Sequence, residues 1–77
     1  MNYAIKQRMR FIDYIINHFG LINRKHLSDY FGIAEAQATR DFKMYEHMAP
    51  GNVVYSGRDK CWLRGPDFKR LYSGDEE

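Results

Sequence analysis

Apolar residues recur along the first part of the chain with the period of a helix. Within residues 4–19 they fall at Ile5, Met9, Ile12, Ile16 and Phe19, with Ile15 alongside, for about four turns. Gly20 is placed to close this helix in a left-handed cap. The "LIN" tripeptide that follows reads as a short extended link. Asn23 can then cap a second helix over 24–31, in which Leu27, Tyr30 and Phe31 face inward. Gly32 ends that helix and Ile33 plugs the turn. A third helix, "AEAQATRDFKMYEH", covers 34–47, carries Ala38, Phe42 and Tyr45 on its apolar face, and stops before Pro50.

Past residue 50 the period changes from 3.6 to 2. "VVY" and "CWLR" are short β-type runs, and the "SGRDK" between them holds the glycine a hairpin loop wants. Phe68, Leu71 and Tyr72 form a last apolar cluster. The expected architecture is mainly α with a small β-hairpin: three helices plus a wing, a winged helix-turn-helix domain over 1–72. Residues 73–77 are expected to be an acidic disordered tail.

The outward face of the third helix carries unusual groups. Ala36, Arg40, Lys43 and His47 lie opposite the apolar stripe, with Gln37 and Thr39 beside them. A helix that only covers a core would carry mixed Glu and Lys there. In a helix-turn-helix this helix, 35–47, enters the major groove. Arg40 suits guanine and Gln37 suits adenine, each by a bidentate pair, and Ala36 permits close approach or touches a thymine methyl. Arg24, Thr39, Lys43 and His47 are candidates for phosphate contacts. The wing, 56–60, offers Arg58 and Lys60 to the backbone or the minor groove next door. Asp41, at the edge of the buried face, reads as structural, paired with Arg24 or another nearby cation. Trp62 reads as core.

Composition narrows the function classes. With 77 residues the chain is one domain at most, and burial at this size is marginal. Six Tyr, five Phe and one Trp offset that with large apolar areas. The net charge is +2, but setting aside Asp75, Glu76 and Glu77 leaves twelve cations against seven acids, a body of +5 that suits a polyanion. The single cysteine, Cys61, has no disulfide partner and reads as a small core residue in a reducing compartment. His18, His26 and His47 are too scattered for a zinc site. No apolar run nears the ~20 residues of a membrane span, and no signal peptide opens the chain. The expectation is a cytoplasmic protein. There is no Gly-rich phosphate loop and no nucleophile with a base at motif spacing, so no enzyme, metal or cofactor is expected. The rival reading is a protein-binding winged helix, such as a phage-encoded inhibitor or anti-repressor. It predicts an acidic or apolar outer face on the third helix, and the cationic face observed favours DNA.

An ordered set of residues resembles a known family. "GLINR" with Leu27, "FGI" (31–33), "QATRDF" (37–42), Tyr45, "PGNVVY" (50–55), Lys60 and Phe68 are similar to the N-terminal winged helix-turn-helix of WYL-domain, DeoR-like transcriptional regulators. The resemblance covers roughly residues 8–70. It implies a regulator of the kind often encoded beside phage-defence systems; the expectation is sequence-specific binding to duplex DNA as a repressor, with a homodimer on the inverted repeat usual for helix-turn-helix proteins. Two departures stand out. Ala34 occupies the position where such proteins cap the recognition helix with Ser or Thr. No WYL domain follows, so the expectation is a stand-alone regulator, of viral or mobile-element type, or an excised domain. Its dimer surface is expected on the first helix (Phe11, Tyr14, Ile15) and the C-terminal cluster Phe68, Leu71 and Tyr72.

Overall fold

The computed structural model describes residues 2–72. The tail 73–77, and the disorder expected of it, lie outside the described residues. Six elements follow in order: α1 (Tyr3–Phe19), β1 (Leu21–Ile22), α2 (Arg24–Phe31), α3 (Glu35–Met48), β2 (Val53–Ser56) and β3 (Cys61–Arg64). The architecture is a winged helix: three helices and a small antiparallel sheet.

Each helix begins and ends for a local reason. Asn2 caps α1 by accepting the Ile5 amide at 2.9 Å, and Gly20 closes it at φ 82°. Asn23 and His26 form a reciprocal capping box at the start of α2: the Asn23 side chain accepts from the His26 amide, and His26 Nδ1 accepts from the Asn23 amide. Gly32 ends α2 at φ 67°. The Ser28 hydroxyl then donates to the Ile33 carbonyl, which holds the turn between α2 and α3. Ala34 gives α3 no side-chain cap, as its chemistry dictates.

The "LIN" link is more than a connection. Leu21 and Ile22 pair antiparallel with Leu63 and Trp62, so the sheet has three strands in the order β1-β3-β2 rather than a lone hairpin. A hairpin alone is marginal in water, and the third strand ties the wing's base to the end of α1. The Arg64 guanidinium adds to this by donating to the Ile16 and Asn17 carbonyls there.

The core lies between the helices and the sheet. Met9, Ile12 and Ile16 of α1, Ile22, Leu27, Ala38, Phe42 and Tyr45 are fully buried, and Val53 and Trp62 close the sheet side. Phe42 and Trp62 stack at 3.9 Å and 8°. Cys61 is buried, as expected.

Three expectations are corrected. Phe19 is 69% exposed, because α1 ends there and the chain turns away at Gly20, while Ile22 of β1 is buried in the core. Tyr30 is exposed too, lying flat on Phe11 at 4.5 Å rather than entering the core. Phe68, Leu71 and Tyr72, set apart in the sequence as a last apolar cluster, pack partly buried against the core.

What holds that last segment is a buried polar cluster. Asp13, fully buried on α1, accepts the amides of Leu71 and Tyr72 at 2.9 and 3.1 Å and the Tyr45 hydroxyl at 2.5 Å. Asn52 bonds both the carbonyl and the amide of Lys69, and its amide also donates to the Tyr45 oxygen. Among the described residues, no buried side-chain nitrogen or oxygen lacks a partner, as burial of polar groups requires. Burial pushes the Tyr45 phenol well above its ordinary pKa, and the hydrogen bond to Asp13 adds to the effect.

Candidate nucleic-acid interface

The outer face of α3 follows from its inner one. With Ala38, Asp41, Phe42 and Tyr45 turned into the domain, Ala36, Arg40, Lys43 and His47 emerge together as an exposed line. Glu35, in the first turn, is the acid nearest the start of this line, where it suits the helix dipole. The acid further along, Glu46, is turned aside and accepts from Trp62 Nε1 at 3.1 Å. The positive charge of the face is thus carried by Arg40 and Lys43, at its middle.

Gln37 and Thr39 flank that line, half-buried, and are engaged within the domain. Thr39 donates its hydroxyl to the Glu35 carbonyl at 3.2 Å. Gln37 donates to Asp41 Oδ1 at 3.0 Å, while its own carbonyl oxygen accepts from Arg40 Nη2 at 2.9 Å. Asp41 is structural, as its position suggests, but its cation is Arg8 of α1 and not Arg24. Arg8 Nε lies 2.6 Å from Oδ2 and Nη2 lies 3.3 Å from Oδ1, a two-toothed pair with Asp41 only 2% exposed. Arg24 stands instead at the start of α2, 4.0 Å from Glu35. Sequence reasoning misses Arg8. The signal that could reveal it is an arginine one turn before Ile12, on a helix flank that faces α3.

The wing tip spans residues 57–60. The Ser56 hydroxyl donates to the Asp59 carboxylate and accepts from the Asp59 amide, and Arg58 Nε lies 3.5 Å from Asp59. Lys60 takes a left-handed backbone, φ 53°, to re-enter β3. Arg58 and Lys60 are both exposed, at the free end of the hairpin. Thus Ala36, Arg40, Lys43, His47, Arg58 and Lys60 are solvent-facing, Gln37 and Thr39 are half-buried supports, and Arg24 sits half-buried at a helix N-terminus. No group of acids, histidines and cysteine among the described residues could hold a metal ion. No helix of the described residues is long and apolar enough to cross a membrane.

This geometry accords with the comparisons to known proteins. A family model described as the BrxR transcriptional regulator winged helix-turn-helix domain matches residues 4–76. The chain is 36% identical over 70 residues to a DNA-binding transcriptional repressor, CapW, of Stenotrophomonas maltophilia, covering 91% of this chain and 23% of that protein. It is 36% identical over 67 residues to the protein of the same description from Pseudomonas aeruginosa, covering 87% of this chain and 22% of the relative. The match to the Escherichia coli protein of that description has the same extent and identity. The chain spans about a quarter of the length of the curated relatives it matches.

Proposed function

The chain belongs to the BrxR transcriptional regulator winged helix-turn-helix family, and on that footing we propose that it binds duplex DNA sequence-specifically and represses transcription by occluding a promoter. The observation that carries the reading is the exposed line Ala36, Arg40, Lys43 and His47 on α3, with Arg58 and Lys60 at the tip of the hairpin. In this reading α3 lies in the major groove, with Ala36 and Arg40 at the base edges and Gln37 behind them, its amide shared between Asp41 and Arg40. Arg24, Lys43 and His47 serve the phosphates, and the wing reaches the backbone or minor groove. The place of action is the cytoplasm, where the DNA is.

One such module buries about 600–1,000 Å² of protein surface on DNA, modest for regulatory affinity. A homodimer on an inverted repeat, with half-sites about 34–36 Å apart, doubles that. Because the C-terminal cluster is absorbed into the domain, the surface for a second copy shifts to the α1–β1–α2 side. There Phe11, Ile15, Phe19, Leu21 and Tyr30 line an apolar groove of about 580 Å³. Sedimentation equilibrium at micromolar concentration tests this part. A monomer with and without DNA refutes it.

Gel-shift titration on a duplex enriched from a randomised library, against a scrambled duplex, tests the reading as a whole. Arg40→Ala is expected to weaken specific binding by about 1–3 kcal/mol and to relax preference at one base pair. Equal losses on both duplexes would reduce Arg40 to a phosphate contact. A wild-type protein that binds neither duplex would move the reading to a protein-binding winged helix.

A further inference from the structure

Arg40 is not a free arginine on a helix surface. Its Nη2 is held by Gln37 Oε1 at 2.9 Å, Gln37 Nε2 is held by Asp41 Oδ1 at 3.0 Å, and Asp41 is held by the fork of Arg8 at 2.6 and 3.3 Å. The chain of bonds runs from the inside of the domain to its surface. Asp41 is buried and the Arg8 side chain nearly so, at 12% exposed, whereas Arg40 is exposed. We propose that Arg8 and Asp41 are positioning residues that set DNA specificity from inside the domain, by fixing Gln37 and through it the guanidinium of Arg40.

The physical reason is directional. Asp41 offers only acceptors, so the Gln37 side chain must turn its NH₂ toward it. That orientation forces the Gln37 carbonyl oxygen outward, where it can accept only from a donor such as Arg40. A neutral amide free to flip would give no such preference. Arg40 keeps its Nε and Nη1 protons and the second proton on Nη2, enough for the two-toothed contact with guanine O6 and N7. An arginine loses rotamer freedom when it binds, and a side chain already held loses less. Arg8 itself comes from α1, so the register of α1 against α3 is carried to the reading atom.

The inference rests on the DNA-binding reading, and its test separates the two. Gln37→Met breaks the link without disturbing the buried Arg8–Asp41 pair, so the fold is spared. Arg8→Lys keeps a cation beside Asp41 but removes the fork. Each is expected to lower the ratio of affinities for the enriched and scrambled duplexes by about five- to tenfold, leaving affinity for the scrambled duplex within about twofold. In an Arg40→Ala background the same substitutions are expected to change the ratio no further, since they act through Arg40. A second readout needs no DNA: ¹⁵N relaxation of the Arg40 guanidinium in the free protein, expected to show its order lost in Gln37→Met. If the wild type prefers no duplex, the DNA-binding reading fails, and the relaxation data alone decide the relay. An Arg40 equally ordered in Gln37→Met, or a ratio that Arg8→Lys lowers as much without Arg40 as with it, overturns the relay.

Discussion

Tyr45→Phe removes one oxygen from the centre of the domain and nothing else. The ring is fully buried on α3, and its hydroxyl donates to Asp13 and accepts from Asn52 at 3.0 Å. A hydrogen bond to a charged acceptor is worth about 1.5–3 kcal/mol net. Asp13 keeps the Leu71 and Tyr72 amides, and Asn52 keeps the Lys69 carbonyl, so neither group is orphaned altogether. The expected loss is therefore about 2 kcal/mol, at the lower part of that range. For a domain of this size it corresponds to about 8–16 °C in Tm, and it is a substantial part of the roughly 4–11 kcal/mol total stability typical of such a chain. Urea unfolding followed by Trp62 fluorescence measures it, with an unchanged m-value as the check that only stability moved. The pH dependence adds a signed test. The folded-state pKa of Tyr45 is raised, so the folded state holds its proton after the unfolded state has begun to lose it. Stability from this group is present below about pH 10 and falls as pH rises above it. The gap between wild type and Tyr45→Phe is thus expected to be constant through neutral pH and to narrow above about pH 10. A loss under about 0.5 kcal/mol, or a gap that widens in alkali, refutes the assignment of this hydroxyl to the Asp13–Asn52 cluster.

Ala34→Ser supplies the cap that α3 lacks, at an extended backbone of φ −68° and ψ 151°, and is expected to raise stability by about 0.5–2 kcal/mol in thermal unfolding. Gly65→Ala places a Cβ 2.0 Å from the Gly51 carbonyl oxygen, a backbone clash, and is expected to cost at least about 1–3 kcal/mol by the same measurement. Arg58→Ala and Lys60→Ala together are expected to weaken binding to all duplexes alike and to reduce the slope of log K against log salt by about one per lost phosphate contact. An unchanged slope would remove the wing from the interface.

Much of this protein is decided within a few residues along the chain. The 3.6 period of Met9, Ile12 and Ile16 places α1, and Ala38, Phe42 and Tyr45 orient α3. Asn23, Gly20 and Gly32 mark where helices start and stop. Such patterns are local, because helical neighbours are three or four residues apart. The same arithmetic puts Ala36, Arg40, Lys43 and His47 on the outer face, so the candidate interface is legible in the amino-acid sequence alone. What stays hidden there depends on residues far apart along the chain. A two-residue strand, Leu21–Ile22, has no period to detect, and only its partners Leu63 and Trp62 define it. Asp13 breaks the apolar face of α1 as a lone acid. It becomes intelligible only when Tyr45, 32 residues on, and the amides of Leu71 and Tyr72 reach it. Arg8 and Asp41 are 33 residues apart, and their pairing is set by how α1 crosses α3. Phe19 and Tyr30 carry the helical period yet lie outside, because periodicity gives direction around a helix axis but not where the neighbouring element ends. A sequence pattern selects the face of each element. Tertiary packing decides which polar groups meet across those faces.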